Sequence, residues 1–118
     1  MTRPLRKGDL VLVPFPFTDF STEKVRPAVV LSPEPSGPDL VVAYVSSVIP
    51  GEQPPLTHLV LSPDHPEFLA TGLRRASVVR RDKLMTIARS RVRRRLGHLG
   101  PLLLAEVNSR FKQVFRLE

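Results

Sequence analysis

The chain has 118 residues, a length that suits one domain with one core, and no cysteine, which excludes disulfides and thiolate metal sites. Of its 18 basic residues 14 are arginine, against 11 acidic ones, for a net charge of +7. That excess points to an anionic partner (nucleic acid, an acidic protein or a membrane surface) and equally admits a plain solvated basic surface.

Along the chain, "KGDLVLVPF" (7–15) reads as a first strand. The prolines of "PFPFTDF" end regular pairing, so the stretch through Lys24 is expected to be a loop. "RPAVVLS" (26–32), "DLVVAYVSS" (39–47) and "THLVLS" (57–62) read as three more strands, separated by "PEPSGP" and "VIPGEQPP". "SPDHPEFLATG" (62–72) carries helix punctuation: Asp64 as cap, Pro66 in the first turn and Gly72 at the left-handed stop. "ASVVR" (76–80) and "KLMTIA" (83–88) predict two short strands, and Ser90 caps an expected short helix, "SRVRRRLG", ending at Gly97. "GPLLLAEVNSRFKQVF" (100–115) predicts an amphipathic helix with Leu103, Leu104, Val107, Phe111, Val114 and Phe115 near one face. The order predicts a mainly β fold with helices: a small curved antiparallel barrel, one domain over 1–118, with a C-terminal helix packed on it.

No apolar run approaches the ~20 residues of a membrane span. "MTRPLRKGDLVLV" lacks a small-residue cleavage site, so no signal peptide is expected. His58, His65 and His98 match no zinc spacing and are expected to be surface or strand-end residues.

Chemistry must therefore come from polar residues at strand ends. Arg26 precedes Pro27, which extends its backbone and marks a strand start or edge. A guanidinium held there matches two phosphate oxygens; it can equally be a loop staple paired with Glu23 or Asp19. In the third strand Val42, Tyr44 and Ser46 share one face, and Val41, Ala43, Val45 and Ser47 share the other, which is the better core face. Ser46 gains interest only if it meets Arg26 across adjacent strands.

"GDLVLVPFPFTDFSTEKVRPAVVLS", "DLVVAYVSS" and "GLRRASVVRRDKLMTIARSRVRRRLGHL" together resemble the PemK/MazF family of toxins from bacterial type II toxin–antitoxin systems, over about residues 7–115. The resemblance implies an SH3-like barrel, a homodimer and a cytoplasmic, cofactor-free and metal-independent endoribonuclease (an mRNA interferase) that cuts single-stranded RNA. It implies catalytic roles for Arg26 and Ser46, where many relatives carry threonine, and for Glu23 as a base; some relatives place their glutamate where this chain has Ser21. RNA contacts are expected from Phe15, Phe17, Phe20, Lys24, Ser47, Arg80, Arg81 and Lys83. Arg74 and Arg75 can extend that track, whereas the run Arg91 to Arg95 reads as a solvated helix face. The implied partners are single-stranded RNA and an acidic antitoxin, with DNA reached only through the antitoxin. The competing readings are a gyrase-poisoning binder of the same fold and a decayed toxin that only binds nucleic acid.

Overall fold

The strand-forming runs become one antiparallel sheet in a computed structural model that describes residues 4–14, 24–32, 37–47 and 58–115. The strands are β1 (Asp9–Pro14), β2 (Val25–Val30), β3 (Asp39–Ser46), β4 (His58–Leu61), β5 (Ser77–Ala88) and β6 (Arg94–His98), in the order β4-β5-β3-β2-β1-β6. A single helix, α1 (Pro101–Phe115), follows. No described helix is long and apolar enough to cross a membrane.

β3 was expected to bury one face, and it buries both. Ala43 and Val45 join Leu10, Val29 and Val79 in a core closed by Leu103 and Val107 of α1. Val42 and Tyr44 join Val11, Val13, Ala28 and Val30 in a second core, flanked by Leu5, Met85, Ile87 and Val92. Val41, expected inside, is 39% exposed. A central strand in a sheet covered from both sides loses the apolar–polar alternation on which a one-faced reading depends.

The two strands expected over 76–88 are one strand with a bulge. Ala43 pairs with Leu84, but Tyr44 pairs with Arg80, so Arg81, Asp82 and Lys83 have no opposite residue on β3. A bulge bends its strand and sharpens the twist. Arg81 and Asp82, which separate the two expected strands, lie at this bend.

Two expected helices are absent. Over 62–72 the chain makes tight turns and one short 3-10 turn, Leu69–Thr71. Side chains there compete for the backbone: Asp64 N–H donates to Ser62 Oγ (3.2 Å), and Glu67 N–H donates to His65 Nδ1 (3.0 Å). Gly72 is the left-handed stop that was expected, with φ 77°. Over 90–97 a 3-10 turn (Arg89–Arg91) leads into β6. A helix would stack Arg91 on Arg94 and Arg95, like charges three and four residues apart. As a strand, the segment pairs with β1, Leu12 opposite Arg94 and Val11 opposite Arg95, and gives β1 the neighbour it would otherwise lack.

The sheet curls until its edges approach each other through the turn that follows β4. A Cβ on Gly72 would overlap the Leu96 carbonyl, and one on Gly97 would overlap the Ala70 carbonyl, so β6 and the 70–72 backbone touch directly. From the same turn Glu67 reaches the start of α1, its carboxylate accepting from Leu102 N–H (3.0 Å) and Leu103 N–H (2.8 Å). Partial burial raises its pKa, but these two amides, with His65 and His98 nearby, outweigh that and hold it below its ordinary 4.5.

Candidate active site

β2 meets β3 with Ala28 opposite Tyr44, Val29 opposite Ala43 and Val30 opposite Val42. The paired stretch ends at Ala28–Tyr44; carried two residues further, the same register would bring Arg26 opposite Ser46. Both are then at the sheet rim where β2 begins and β3 ends, and directly opposite residues share a face. Arg26 also pairs with Val13 on β1, and Ser46 with Val78 on β5. Arg26 is exposed and Ser46 half-buried. β2 thus presents the Arg26 cation near its start, on a backbone paired with Val13 of β1.

Tyr44 lies one step inward on that face. The small Ala28 opposite leaves room for its ring to cross β2, and its hydroxyl donates to the Pro14 carbonyl at 3.1 Å, two strands away. Pro14 is the last residue of β1, so this bond fixes where the chain departs toward residues 15–23. Burial raises the Tyr44 pKa above 10.0, and the nearby Arg91 charge partly opposes that.

Beside Arg26 is a cavity of about 200 Å³, lined by Arg26, Pro27, Val45, Ser47, Leu73, Arg74, Arg75 and Ser77. Among the described residues its polar lining is arginine and serine. Ser47 is exposed at its edge, just past β3.

Of the other residues singled out in the sequence, Lys24 is exposed immediately before β2. Arg80, opposite Tyr44, lies two residues from the Ser46–Val78 pair on the same face. Lys83 is exposed in the β5 bulge, and Arg81 sits in that bulge with only its backbone described. Glu23, Phe15, Phe17 and Phe20 lie outside the described residues, as do Asp19 and Ser21. The geometry therefore brings Arg26, Ser46 and Ser47 to one rim with Arg80 close by. Sequence reasoning missed Tyr44 as the anchor of the β1 exit and Ser77 as a support of the 74–75 turn. A tyrosine on a strand face and a serine before a strand carry no local signal for either role.

A curled antiparallel sheet with one C-terminal helix is also the fold of known MazF toxins. The chain matches the MazE–MazF complex of Deinococcus radiodurans with a TM-score of 0.74 and 24% identity, over 99% of this chain and 100% of that one. It matches the Mycobacterium tuberculosis toxin MazF-mt6 with a TM-score of 0.72 and 20% identity, over 93% and 98%. It also matches a mycobacterial endoribonuclease in complex with its cognate antitoxin, with a TM-score of 0.69 and 15% identity, over 99% and 98%. No curated protein sequence matches the chain. Residues 6–115 match the PemK-like, MazF-like toxins of type II toxin–antitoxin systems, and the chain belongs to that family.

Proposed function

We propose that this toxin is an endoribonuclease that cuts single-stranded RNA in the cytoplasm and is silenced by an acidic antitoxin. The observation that supports this reading most is the β2–β3 register, which leads to Arg26 and Ser46 at one rim when it is extended two residues past Ala28–Tyr44. RNA carries its own nucleophile. Its 2′-oxygen attacks the adjacent phosphorus while Glu23 takes the 2′-hydroxyl proton. The bond from phosphorus to the 5′-oxygen then breaks, and the leaving oxygen takes up a proton. Negative charge grows on the phosphorane oxygens between these events. Arg26 faces that charge with a permanent cation, and Ser46 donates a hydrogen bond to it. Arg26 stays protonated and is therefore a poor base, which leaves proton removal to Glu23. The products are a 2′,3′-cyclic phosphate and a 5′-hydroxyl.

The chain works as a homodimer in this reading, and the antitoxin's acidic segment occupies the groove that RNA uses. The +7 charge speeds encounter with either polyanion. The test is incubation of the purified protein with a long single-stranded RNA in EDTA, followed by end mapping. Cleavage to cyclic phosphate and 5′-hydroxyl ends is expected. Intact RNA, or 5′-phosphate ends, would overturn the reading. In the first case, binding without cleavage would favour a nucleic-acid binder.

A further inference from the structure

We propose that Arg74, Arg75 and Ser47 form a second phosphate subsite beside the cleavage position, which holds the neighbouring backbone phosphate of a single-stranded RNA. The proposal rests on the endoribonuclease reading and adds to it a group that fixes where along the strand the cut falls.

The cavity next to Arg26 supplies the shape. Its floor is apolar (Pro27, Val45, Leu73) and its polar rim holds three arginines and two serines. A phosphodiester needs cations and hydrogen-bond donors. The lining meets that description. Arg74 and Arg75 are both exposed, and among the described residues neither has an ion-pair partner. Arginines elsewhere do, as Arg95 does with Asp9 and Arg110 with Glu106.

The turn that carries the two arginines is built to stay still. Fully buried Thr71 donates its hydroxyl to the Phe68 carbonyl (2.6 Å) and accepts from Leu73 N–H (3.1 Å). Leu73 packs against the core below α1. Gly72 adopts its positive φ against the Leu96 carbonyl. On the other side, Ser77 donates its hydroxyl to the Arg75 carbonyl at 2.9 Å. Loops that merely carry solvated charge need no such scaffold. A pinned backbone reduces the ordering cost of binding and gives the phosphate a fixed address relative to Arg26. Ser77 is already engaged with the turn, so the exposed Ser47 is the hydroxyl that donates to the ligand.

The probe is a short single-stranded RNA containing one cleavable site, with a neutral methylphosphonate placed in turn at each neighbouring linkage. A copy with a 2′-deoxy residue at the cut serves for binding. For the wild type, one neighbouring linkage should raise KM and Kd about tenfold when neutral, the size of one or two charge-assisted hydrogen bonds. An Arg74→Ala/Arg75→Ala double variant should show that higher KM with the ordinary RNA, change kcat less than about twofold, and ignore the neutral linkage. Its log Kd against log salt should be shallower by about 0.7, for one phosphate left unneutralised. Arg74→Lys/Arg75→Lys should recover most of the affinity. The proposal is overturned if the double alanine variant keeps the wild-type KM, keeps its sensitivity to the neutral linkage, or loses kcat instead. If the wild type cuts no RNA, the endoribonuclease reading fails on its own, and the uncleavable RNA still decides the subsite through Kd.

Discussion

On the edge strand β6, Arg95 lies 3.4 Å from the buried Asp9 carboxylate and within hydrogen-bond distance of His98. Just upstream, Arg89 donates from Nε to the Gly37 carbonyl at 2.8 Å. Asp9 in turn accepts from Arg6 N–H at 2.8 Å, so this region binds the N-terminal segment, β1 and β6 together. At the turn before β5, Arg74 and Arg75 are held by their backbone and present their guanidiniums to an open cavity. The two stretches look alike in composition. They differ in what is fixed: the Arg89 and Arg95 side chains are tied to the protein, whereas at 74–75 the backbone is tied and the charged ends point outward. A basic run is informative about binding only once its internal partners are known.

The sharpest separation of the two regions comes from Arg26, which lines the same cavity as the turn. Arg26→Ala should reduce RNA cleavage by about a thousandfold or more, with a melting curve within a few degrees of wild type. Equal cleavage by a folded variant would remove Arg26 from the mechanism. Asp9→Ala is the counterpart at β6. It leaves Arg6 N–H and the Arg95 guanidinium without their buried acceptor, and urea unfolding should show a loss of about 2 kcal/mol. The surviving folded fraction should cleave at the wild-type rate; a specific loss of kcat would blur the distinction. Ser46→Ala should slow cleavage by about a hundredfold, while Ser46→Thr retains it. A threonine variant as slow as the alanine one would break the Arg26–Ser46 pairing argument.

Tyr44→Phe tests the brace between the rim and β1 and should lower stability by about 1 kcal/mol. The phenol also carries a pH signature. Its folded pKa lies above 10.0, so its contribution is complete below pH 10 and is lost as pH rises from there through the folded value. The chain has one tyrosine, so phenolate absorbance reports Tyr44 alone. Native protein should titrate above denatured protein, and the phenylalanine variant should lose less stability at alkaline pH. An absorbance titration identical in native and denatured protein would show the hydroxyl to be solvated. The smallest effect belongs to exposed Arg94: its alanine variant should change stability by about 0.5 kcal/mol or less and leave KM for RNA within twofold.

Much of the fold was legible because local and global preferences agree. β1, β2, β3, β4 and α1 begin and end within a residue or two of their punctuation at Gly8, Pro27, Asp39, His58 and Pro101. The misreadings fall where tertiary structure overrides a local signal. Residues 62–72 have helix punctuation, but their polar side chains bind the local backbone and Glu67 is drawn to α1. Residues 90–97 are needed as a partner for β1. At the site, the parity of β3 puts Ser46 with Tyr44, and the register with β2, extended past Ala28–Tyr44, leads to Arg26. The 74–75 turn was visible only as charge, because nothing local shows that Thr71, Gly72 and Ser77 would immobilise it.

The Glu67 carboxylate links that turn to the C-terminal helix, and the link has a consequence for local opening. Releasing the first turn of α1 leaves two amides without an acceptor, and releasing the 62–76 segment leaves the same two amides bare. The helix start and the arginine turn should therefore open as one cooperative unit in amide hydrogen exchange, with Leu102, Leu103 and Leu73 sharing one opening free energy. Because the Glu67 pKa is depressed, this protection is complete above pH 4.5 and falls as pH drops through the lower folded value. A ligand that clamps Arg74 and Arg75 should slow exchange at the helix start as well, although it never touches the helix.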